Sequence, residues 1–120
     1  MFHTVSHLTG DLREGFESLD VLLSTFPHGT LTGAPKVAAM QYIDQLENQS
    51  RQYYGGTMLN LRFDGDLDSC IMIRSASLHD GILRYQTGAT LLFDSDPVSE
   101  YQETMTKAHG FLLTINSLKK

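Results

Sequence analysis

The sequence predicts an α+β fold, in which helices cover an antiparallel sheet, from two patterns of apolar residues. The second half of the chain has apolar runs at 57–63, 69–78 and 82–93, separated by Asp64-Gly65-Asp66 and His79-Asp80-Gly81. An Asp-Gly pair between apolar runs is a strong signal for a β-hairpin, so these runs predict an antiparallel meander. Segments with apolar residues at helical spacing flank the meander on both sides, as expected of an α+β layered domain.

The flanking segments predict the remaining elements of a single domain, 1–120. Apolar stripes predict helices over 11–26, 35–48 and 98–115, the first capped by Asp11 and the last by the step Asp94-Ser95-Asp96-Pro97. Loose alternation over 2–8 predicts a first strand. A chain of 120 residues is long enough for one core. The predicted helices do not suffice to cover both sheet faces, which suggests a part of a larger fold.

Charge and cysteine content exclude several classes of function. The formal net charge is -5 and no basic run is longer than Lys119-Lys120, so a nucleic acid duplex or an anionic membrane would mostly repel the chain. No apolar run is long enough to cross a bilayer, and Met1-Phe2-His3 does not open a signal peptide. The single Cys70 excludes an internal disulfide and cysteine-based zinc sites. We therefore expect a cytoplasmic protein with neither nucleic acid nor membrane as a partner.

The segment 28–36, His-Gly-Thr-Leu-Thr-Gly-Ala-Pro-Lys, is rich in groups that can hold a polar ligand. Gly29 and Gly33 permit close approach of the backbone, and the helix predicted after Pro35 would present unpaired N–H groups. The spacing differs from that of a Walker A loop, so a nucleotide phosphate is not indicated. The segment is either an anion-binding loop or a loop that caps the following helix.

Acidic side chains on the last predicted helix form a candidate metal site. Glu100, Glu103 and Lys107 fall at i, i+3 and i+7, within an arc of about 60° that points away from the apolar stripe. Carboxylates one turn apart can bind Mg²⁺, which takes one or two protein carboxylates together with water and substrate oxygens. The alternative is a solvated helix face with an ion pair to Lys107.

Arg74 is unusual for its position in the predicted strand 69–78. Alternation places it on the same sheet face as Cys70, Met72 and Ala76. A charge on an apolar face needs a partner, and the planar guanidinium matches a carboxylate. That carboxylate is either a ligand's or an internal Asp or Glu.

Other residues also have both a structural and a functional interpretation. Gly88 inside a predicted strand indicates a close backbone approach. Tyr54 either presents its hydroxyl to a site or packs at the start of the sheet. His3 and His7 would share a strand face, and one of them could act as an acid or base near neutral pH. The histidines show no metal-ligand spacing.

Several motifs occur in order along the chain. They are His3-Thr4-Val5-Ser6, Gly29 to Val37, Tyr54-Gly55-Gly56, Gly65 to Ala76, and Asp94 to Pro97 followed by Glu100, Glu103-Thr104 and Lys107-Ala108. In order and spacing, over essentially the whole chain, they resemble the C-terminal part of chorismate-utilising enzymes, in particular the anthranilate synthase component I family. The resemblance implies a Mg²⁺-dependent lyase that converts chorismate and ammonia to anthranilate and pyruvate, the first committed step to tryptophan. A glutamine amidotransferase subunit is the implied partner.

The resemblance also implies roles for individual residues. Near the reacting ring, His3 would be the catalytic acid or base, and Thr30 would contact the departing hydroxyl. Glu103, assisted by Glu100, would be a Mg²⁺ ligand, and the metal would hold the ring carboxylate. Arg74 and Tyr54 would bind the enolpyruvyl carboxylate of the substrate. The backbone near Gly88 would support one of the two carboxylates of the substrate, and Lys107 would line the same anionic pocket.

The chain departs from the family pattern in ways that leave alternatives open. The family domain is longer, so the resemblance covers its last portion, and the missing N-terminal part of the same enzyme, with a further Mg²⁺ ligand, is an expected partner. Thr90 stands where the family usually has a second glycine after Gly88-Ala89, which could crowd a carboxylate. Aminodeoxychorismate synthase component I shares most of the motifs and is one alternative. A catalytically inactive remnant or interaction module is another, and isochorismate-type enzymes fit the loop less well.

Overall fold

The computed structural model describes residues 4–118, which form helices and strands in an α+β arrangement. The helices are α1 (Ser18–Thr25), α2 (Gly29–Thr32), α3 (Lys36–Leu46) and α4 (Pro97–Ser117). The strands are β1 (Thr57–Leu61), β2 (Leu67–Ile71), β3 (Ala76–His79) and β4 (Ile82–Tyr85). The predicted α+β class is confirmed. None of the helices within residues 4–118 combines the length and the hydropathy that a bilayer span requires.

The strands pair as two antiparallel hairpins at the predicted turns. β1 pairs with β2, from Thr57 opposite Ile71 to Leu61 opposite Leu67, and β3 pairs with β4. In the second turn Asp80 and Gly81 both have left-handed φ, 49° and 74°, which is the geometry that matches the twist of a tight hairpin. The Asp-Gly signals therefore identified both hairpins correctly.

The predicted meander is divided into two separate two-stranded sheets. The predicted strand 69–78 is interrupted over 72–75, where Met72 still pairs with Gly56 at the end of the β1–β2 ladder and the chain then turns. The carbonyl of Met72 accepts from the N–H of Gly55, and its N–H donates to the carbonyl of Gly56, both at 2.9 Å. The β1–β2 ladder ends with this exchange, and β3 starts a new sheet.

Arg74 consequently lies between the sheets rather than within a strand. Its φ of 54° is left-handed, and the preceding residue, Ile73, donates its N–H to the carbonyl of Ile71 at 3.0 Å in a tight turn. The prediction that Arg74 shares a sheet face with Cys70, Met72 and Ala76 is therefore wrong. Arg74 is an exposed residue of this turn.

Two other predicted strands also differ. The run 82–93 is a strand only as far as Tyr85, and residues 86–93 belong to no strand or helix. The segment 2–8 is described from residue 4, and residues 4–8 belong to no strand or helix. The strand predicted there is wrong over its described part.

The first helix is shorter than its apolar stripe. The prediction spans 11–26, but α1 begins at Ser18 because Gly15 has a left-handed φ of 83°, which interrupts a right-handed helix. Asp11 is therefore not the N-cap. The start of α1 is fixed instead by the N–H of Glu17, which donates to the carboxylate of Asp20 at 2.8 Å.

The glycine-rich segment 28–36 contains a short helix, α2, and a turn. Gly33 ends α2 with a φ of 105°, and a methyl group at this glycine would lie 3.1 Å from Cβ of Ala39 in α3. The glycine therefore lets α2 and α3 pack closely. α3 begins directly after Pro35, close to the predicted start.

The last helix closely matches its prediction of 98–115. α4 runs from Pro97 to Ser117, and the carboxylate of Asp96 accepts hydrogen bonds from the N–H and the hydroxyl of Ser99 at 2.9 and 2.7 Å. These hydrogen bonds hold the pKa of Asp96 below its ordinary value. The predicted cap is confirmed.

The described residues do not form the single core expected for this length. Among them, Leu22 is the one buried apolar side chain. The accessible surface is 10682 Å², whereas a folded monomer of this mass exposes about 6,500 Å². The radius of gyration is 17.4 Å, against about 13.6 Å for a compact domain of this length. Most of the apolar residues that pattern the helices and strands therefore lie on the surface.

Candidate functional site

Tyr54 is held at the end of the first sheet by the turn before β1. Its N–H donates to the carbonyl of Arg51 at 2.9 Å, and the next residue, Gly55, is paired with Met72. Gly55 has a left-handed φ of 78°, and a methyl group there would lie 3.5 Å from the side chain of Leu31 in α2. The turn therefore fixes Tyr54, which is half-buried, between the sheet and α2.

The extended segment after β4 is attached to α4. The ring of Tyr85 stacks on that of Phe111, with centroids 4.1 Å apart and planes at 7°. The hydroxyl of Thr87 donates to the carbonyl of Thr104 at 3.2 Å. These contacts bring the next residue, Gly88, beside the middle of α4.

Gly88 lies between the Tyr54 turn and α4. The ammonium of Lys107 donates to the Gly88 carbonyl at 2.9 Å and also pairs with a carboxylate oxygen of Glu103 at 2.5 Å. On the other side, a methyl group at Gly88 would lie 3.0 Å from the hydroxyl oxygen of Tyr54. Gly88 is therefore a close approach, as predicted. We call Tyr54, Gly88, Glu103 and Lys107 the Gly88 cluster.

The Gly88 cluster combines opposite charges with neutral polar groups. The side chain of Lys107 is 26% exposed and that of Glu103 is 53% exposed. An i,i+4 ion pair this open to water contributes little to stability, so folding does not depend on these two side chains. The sequence left two interpretations of this helix face open, a metal site and a solvated ion pair to Lys107, and the structure shows the ion pair. The carboxylate of Glu103 nevertheless remains accessible to solvent.

Glu100 lies one turn before Glu103 and is more enclosed. It is half-buried and accepts a hydrogen bond from the hydroxyl of Ser95 at 2.7 Å. Two carboxylates one turn apart fit Mg²⁺, whose remaining ligands are water and substrate oxygens. Within residues 4–118 no three side chains of His, Cys, Asp or Glu are grouped to hold a metal. Glu100 and Glu103 could therefore supply part of a Mg²⁺ site.

Other predicted site residues are not joined to the Gly88 cluster. Thr30 is exposed on α2 and Arg74 is exposed in the turn between the sheets. Among the hydrogen bonds and ion pairs of residues 4–118, none connects either residue to the cluster. His3 lies outside the described residues.

A cleft of about 820 Å³ opens between the Tyr54 turn and the second hairpin. Its polar lining includes Arg51, Tyr54, Arg84 and Gln86, and this volume is in the range of small-molecule sites. A second, more apolar cleft of about 550 Å³ lies between α2 and α3, and Arg51 and Tyr54 line it as well. Among the predicted site residues that the structure describes, Tyr54 alone lines the larger of these two clefts.

Arg51 and Glu47 are residues that the sequence analysis missed. The guanidinium of Arg51 makes hydrogen bonds to both carboxylate oxygens of Glu47, which hold the pKa of this carboxyl below its ordinary value. The same guanidinium donates to the carbonyl of Leu31 at 3.0 Å and lies 5.8 Å from the ring centroid of Tyr54. The i,i+4 spacing of Glu47 and Arg51 was the available signal, although such pairs are frequent on helix surfaces.

The described residues form an α+β arrangement with a polar cluster of mixed charge around Gly88. Residues 1–113 match the model of the chorismate binding enzyme family. This match covers most of the chain, which therefore belongs to that family.

Individual relatives are consistent with this assignment. The chain is 46% identical over 116 residues to anthranilate synthase component 1 of Bacillus subtilis (strain 168), covering 97% of this chain and 22% of the relative. It is 45% identical over 115 residues to the protein of that name from Aquifex aeolicus (strain VF5), covering 96% and 23%. It is 46% identical over 110 residues to that from Neisseria gonorrhoeae, covering 92% and 22%. The chain thus spans less than a quarter of the length of these curated relatives.

Proposed function

We propose that this chain is the C-terminal portion of the chorismate-binding domain of an anthranilate synthase component I. It contributes substrate-binding residues and part of a Mg²⁺ site to the conversion of chorismate and ammonia to anthranilate and pyruvate. The observation that carries the proposal is the Gly88 cluster, because it gathers residues from the Tyr54 turn, the β4 extension and α4 to which the resemblance assigns substrate or metal.

The charges of the site support a dicarboxylate substrate. Within the Gly88 cluster Lys107 supplies an ammonium and Tyr54 a phenolic O–H. Outside the cluster, the exposed guanidinium of Arg74 supplies a planar fork that matches a carboxylate. Fixed cationic and hydrogen-bonding groups of this kind stabilise charge as it develops in a reaction.

The chain's own acidic and hydroxyl residues complete the proposal. Glu103 and Glu100 would hold Mg²⁺, which when bound neutralises charge on a substrate carboxylate. The hydroxyl of Thr30 would contact the ring hydroxyl that leaves, and His3 would transfer a proton near the ring. Closing the site around Thr30 and Arg74 requires the remainder of the enzyme, which we propose as a partner.

We further propose that the complete enzyme receives ammonia from a glutamine amidotransferase subunit and works in the cytoplasm, in tryptophan biosynthesis. The name of the relatives, anthranilate synthase component 1, supports the existence of a second component.

The test uses two preparations of the chain. One is the chain alone, and the other is a hybrid in which the chain replaces the matching 116 residues of the Bacillus subtilis relative. Each is incubated with chorismate, Mg²⁺ and ammonium, and anthranilate is followed by its fluorescence. We expect anthranilate from the hybrid. The chain alone should produce none, because its part of the metal site is incomplete.

Product analysis separates the alternatives. Aminodeoxychorismate in place of anthranilate would assign the chain to the sister enzyme. No product from a hybrid that is folded by circular dichroism would overturn the proposal and favour an inactive remnant. Arg62→Met is a control for variants that remove a positive charge, because Arg62 pairs with Asp66 on the exposed surface, outside the Gly88 cluster.

A further inference from the structure

Arg51 makes an unusual combination of contacts for a residue in a short turn. Nε lies 3.1 and 2.8 Å from the two carboxylate oxygens of Glu47, and Nη1 lies 3.0 Å from the carbonyl oxygen of Leu31. The guanidinium carbon also lies 5.8 Å from the centroid of the Tyr54 ring, within the range of a cation–π contact. One planar group therefore contacts the end of α3, the short helix α2 and the Tyr54 turn.

Comparison with another ion pair of the same spacing shows that Arg51 is more than a surface charge. The pair of Arg62 and Asp66 has one hydrogen bond of 3.2 Å, and its side chains are 58% and 71% exposed. The side chain of Arg51 is 24% exposed and makes hydrogen bonds to two acceptor groups. Enclosure strengthens charge-assisted hydrogen bonds, and a bidentate geometry restricts rotation of the guanidinium.

The Tyr54 ring lies between the enclosed guanidinium of Arg51 and Gly88. Arg51 contacts the ring face, while the hydroxyl at the end of the ring lies against Gly88. Arg51 and Tyr54 also line both of the clefts described above. A change in the orientation of the guanidinium would therefore move the phenolic oxygen relative to Gly88.

We propose that Arg51, held by Glu47, is a positioning residue that sets the orientation of the Tyr54 ring and thereby the affinity of the site for a substrate carboxylate. The inference rests on the proposed function, because it requires the Tyr54 hydroxyl to contact the substrate. It assigns to Arg51 an effect on substrate binding that is exerted through the Tyr54 ring. Lysine cannot replace arginine here, since a single ammonium cannot reproduce the planar fork.

The experiment is a double-mutant cycle in the hybrid enzyme with chorismate as substrate. We expect Arg51→Lys to raise KM about tenfold, with kcat within about twofold, because misplacing a binding group by a fraction of an ångström weakens binding. Tyr54→Phe should raise KM on its own. In the Tyr54→Phe background, Arg51→Lys should add less than about twofold, because the hydroxyl it positions is gone. The control Arg62→Lys should leave both constants unchanged.

The outcomes separate this inference from the proposed function. If Tyr54→Phe leaves KM unchanged, the assigned role of Tyr54 fails, and the inference fails with it. If Tyr54→Phe raises KM but the effect of Arg51→Lys is equally large in both backgrounds, Arg51 acts on the fold alone, and only the inference is overturned.

A spectroscopic measurement provides a second test that does not depend on turnover. The hybrid is labelled with 3-fluorotyrosine, and the fluorine resonance of Tyr54 is assigned by its loss in Tyr54→Phe. We expect this resonance to shift and broaden in Arg51→Lys and in Glu47→Gln, because the ring is no longer held in one orientation. An unchanged resonance in both variants would overturn the inference.

Discussion

Adding a single methyl group at Gly88 is expected to weaken chorismate binding through Tyr54. In Gly88→Ala the new Cβ would lie 3.0 Å from the hydroxyl oxygen and 3.9 Å from Cζ of Tyr54. Ordinary contact begins near 3.4 Å, so the ring must move by a few tenths of an ångström. A displacement of about 1 Å can cost about 100-fold, so a displacement of a few tenths of an ångström corresponds to about fivefold. We expect this cost as a rise in KM, because the Tyr54 hydroxyl is assigned to substrate binding. The measurement is steady-state kinetics of the hybrid with chorismate.

The control for this substitution is Gly110→Ala on the same helix that carries Lys107. A methyl group at Gly110 meets nothing within 4 Å. Removing a glycine from the interior of α4 should raise the stability of the helix by about 0.5–1 kcal/mol without changing KM. Equal KM values for Gly88→Ala and the unsubstituted hybrid, with both folded, would refute the proposed contact between Tyr54 and substrate.

Further predictions concern the charges and the exposed surface. Lys107→Met removes the ammonium that contacts Gly88 and Glu103, and we expect at least about a tenfold loss of chorismate affinity by calorimetry, whereas unchanged affinity would remove Lys107 from the pocket. Glu103→Gln should abolish Mg²⁺-dependent chorismate binding, and unchanged affinity would remove it from the metal site. The pKa of Glu47 is lowered from its ordinary value of 4.5, so its carboxylate contributes to stability at pH values above 4.5. This contribution is lost as the pH falls through the lowered pKa. The melting temperature of Glu47→Gln should therefore fall less steeply with acid than that of the parent. The chain alone, with 10682 Å² exposed, should self-associate in sedimentation experiments as its concentration rises, and a strictly monomeric chain at all concentrations would contradict this.

Elements fixed by neighbouring residues could be predicted from the sequence. Both hairpin turns follow from Asp-Gly pairs, and the start of α4 follows from Asp96 and Pro97, because these signals act within a few residues. The break in the strand 69–78 could not be predicted in this way. It coincides with the turn after Met72 in which Arg74 has a left-handed φ of 54°, and arginine is not a residue type that marks a turn in a sequence.

The same distinction applies to the site. The proximity of Glu100, Glu103 and Lys107 follows from helical spacing alone, so the sequence placed them together correctly. The contact between Lys107 and Gly88 depends on how the β4 extension docks on α4, and the resemblance indicated it only as a shared pocket. Arg51 was missed because its spacing from Glu47 is typical of any solvated helix end, and only its burial distinguishes it.

The exposed apolar surface and the open site have one physical explanation. Water around Lys107 and Glu103 weakens their electrostatic effect on a ligand, because charges interact far less strongly in water than in an enclosed site. The apolar stripes that remain exposed are the surfaces on which further protein would pack and exclude that water. Since the matched relatives are more than four times as long as the matched region, they have enough additional chain to provide such a cover. Packing of that cover would therefore both complete the core and strengthen the interactions that we propose for a dicarboxylate substrate.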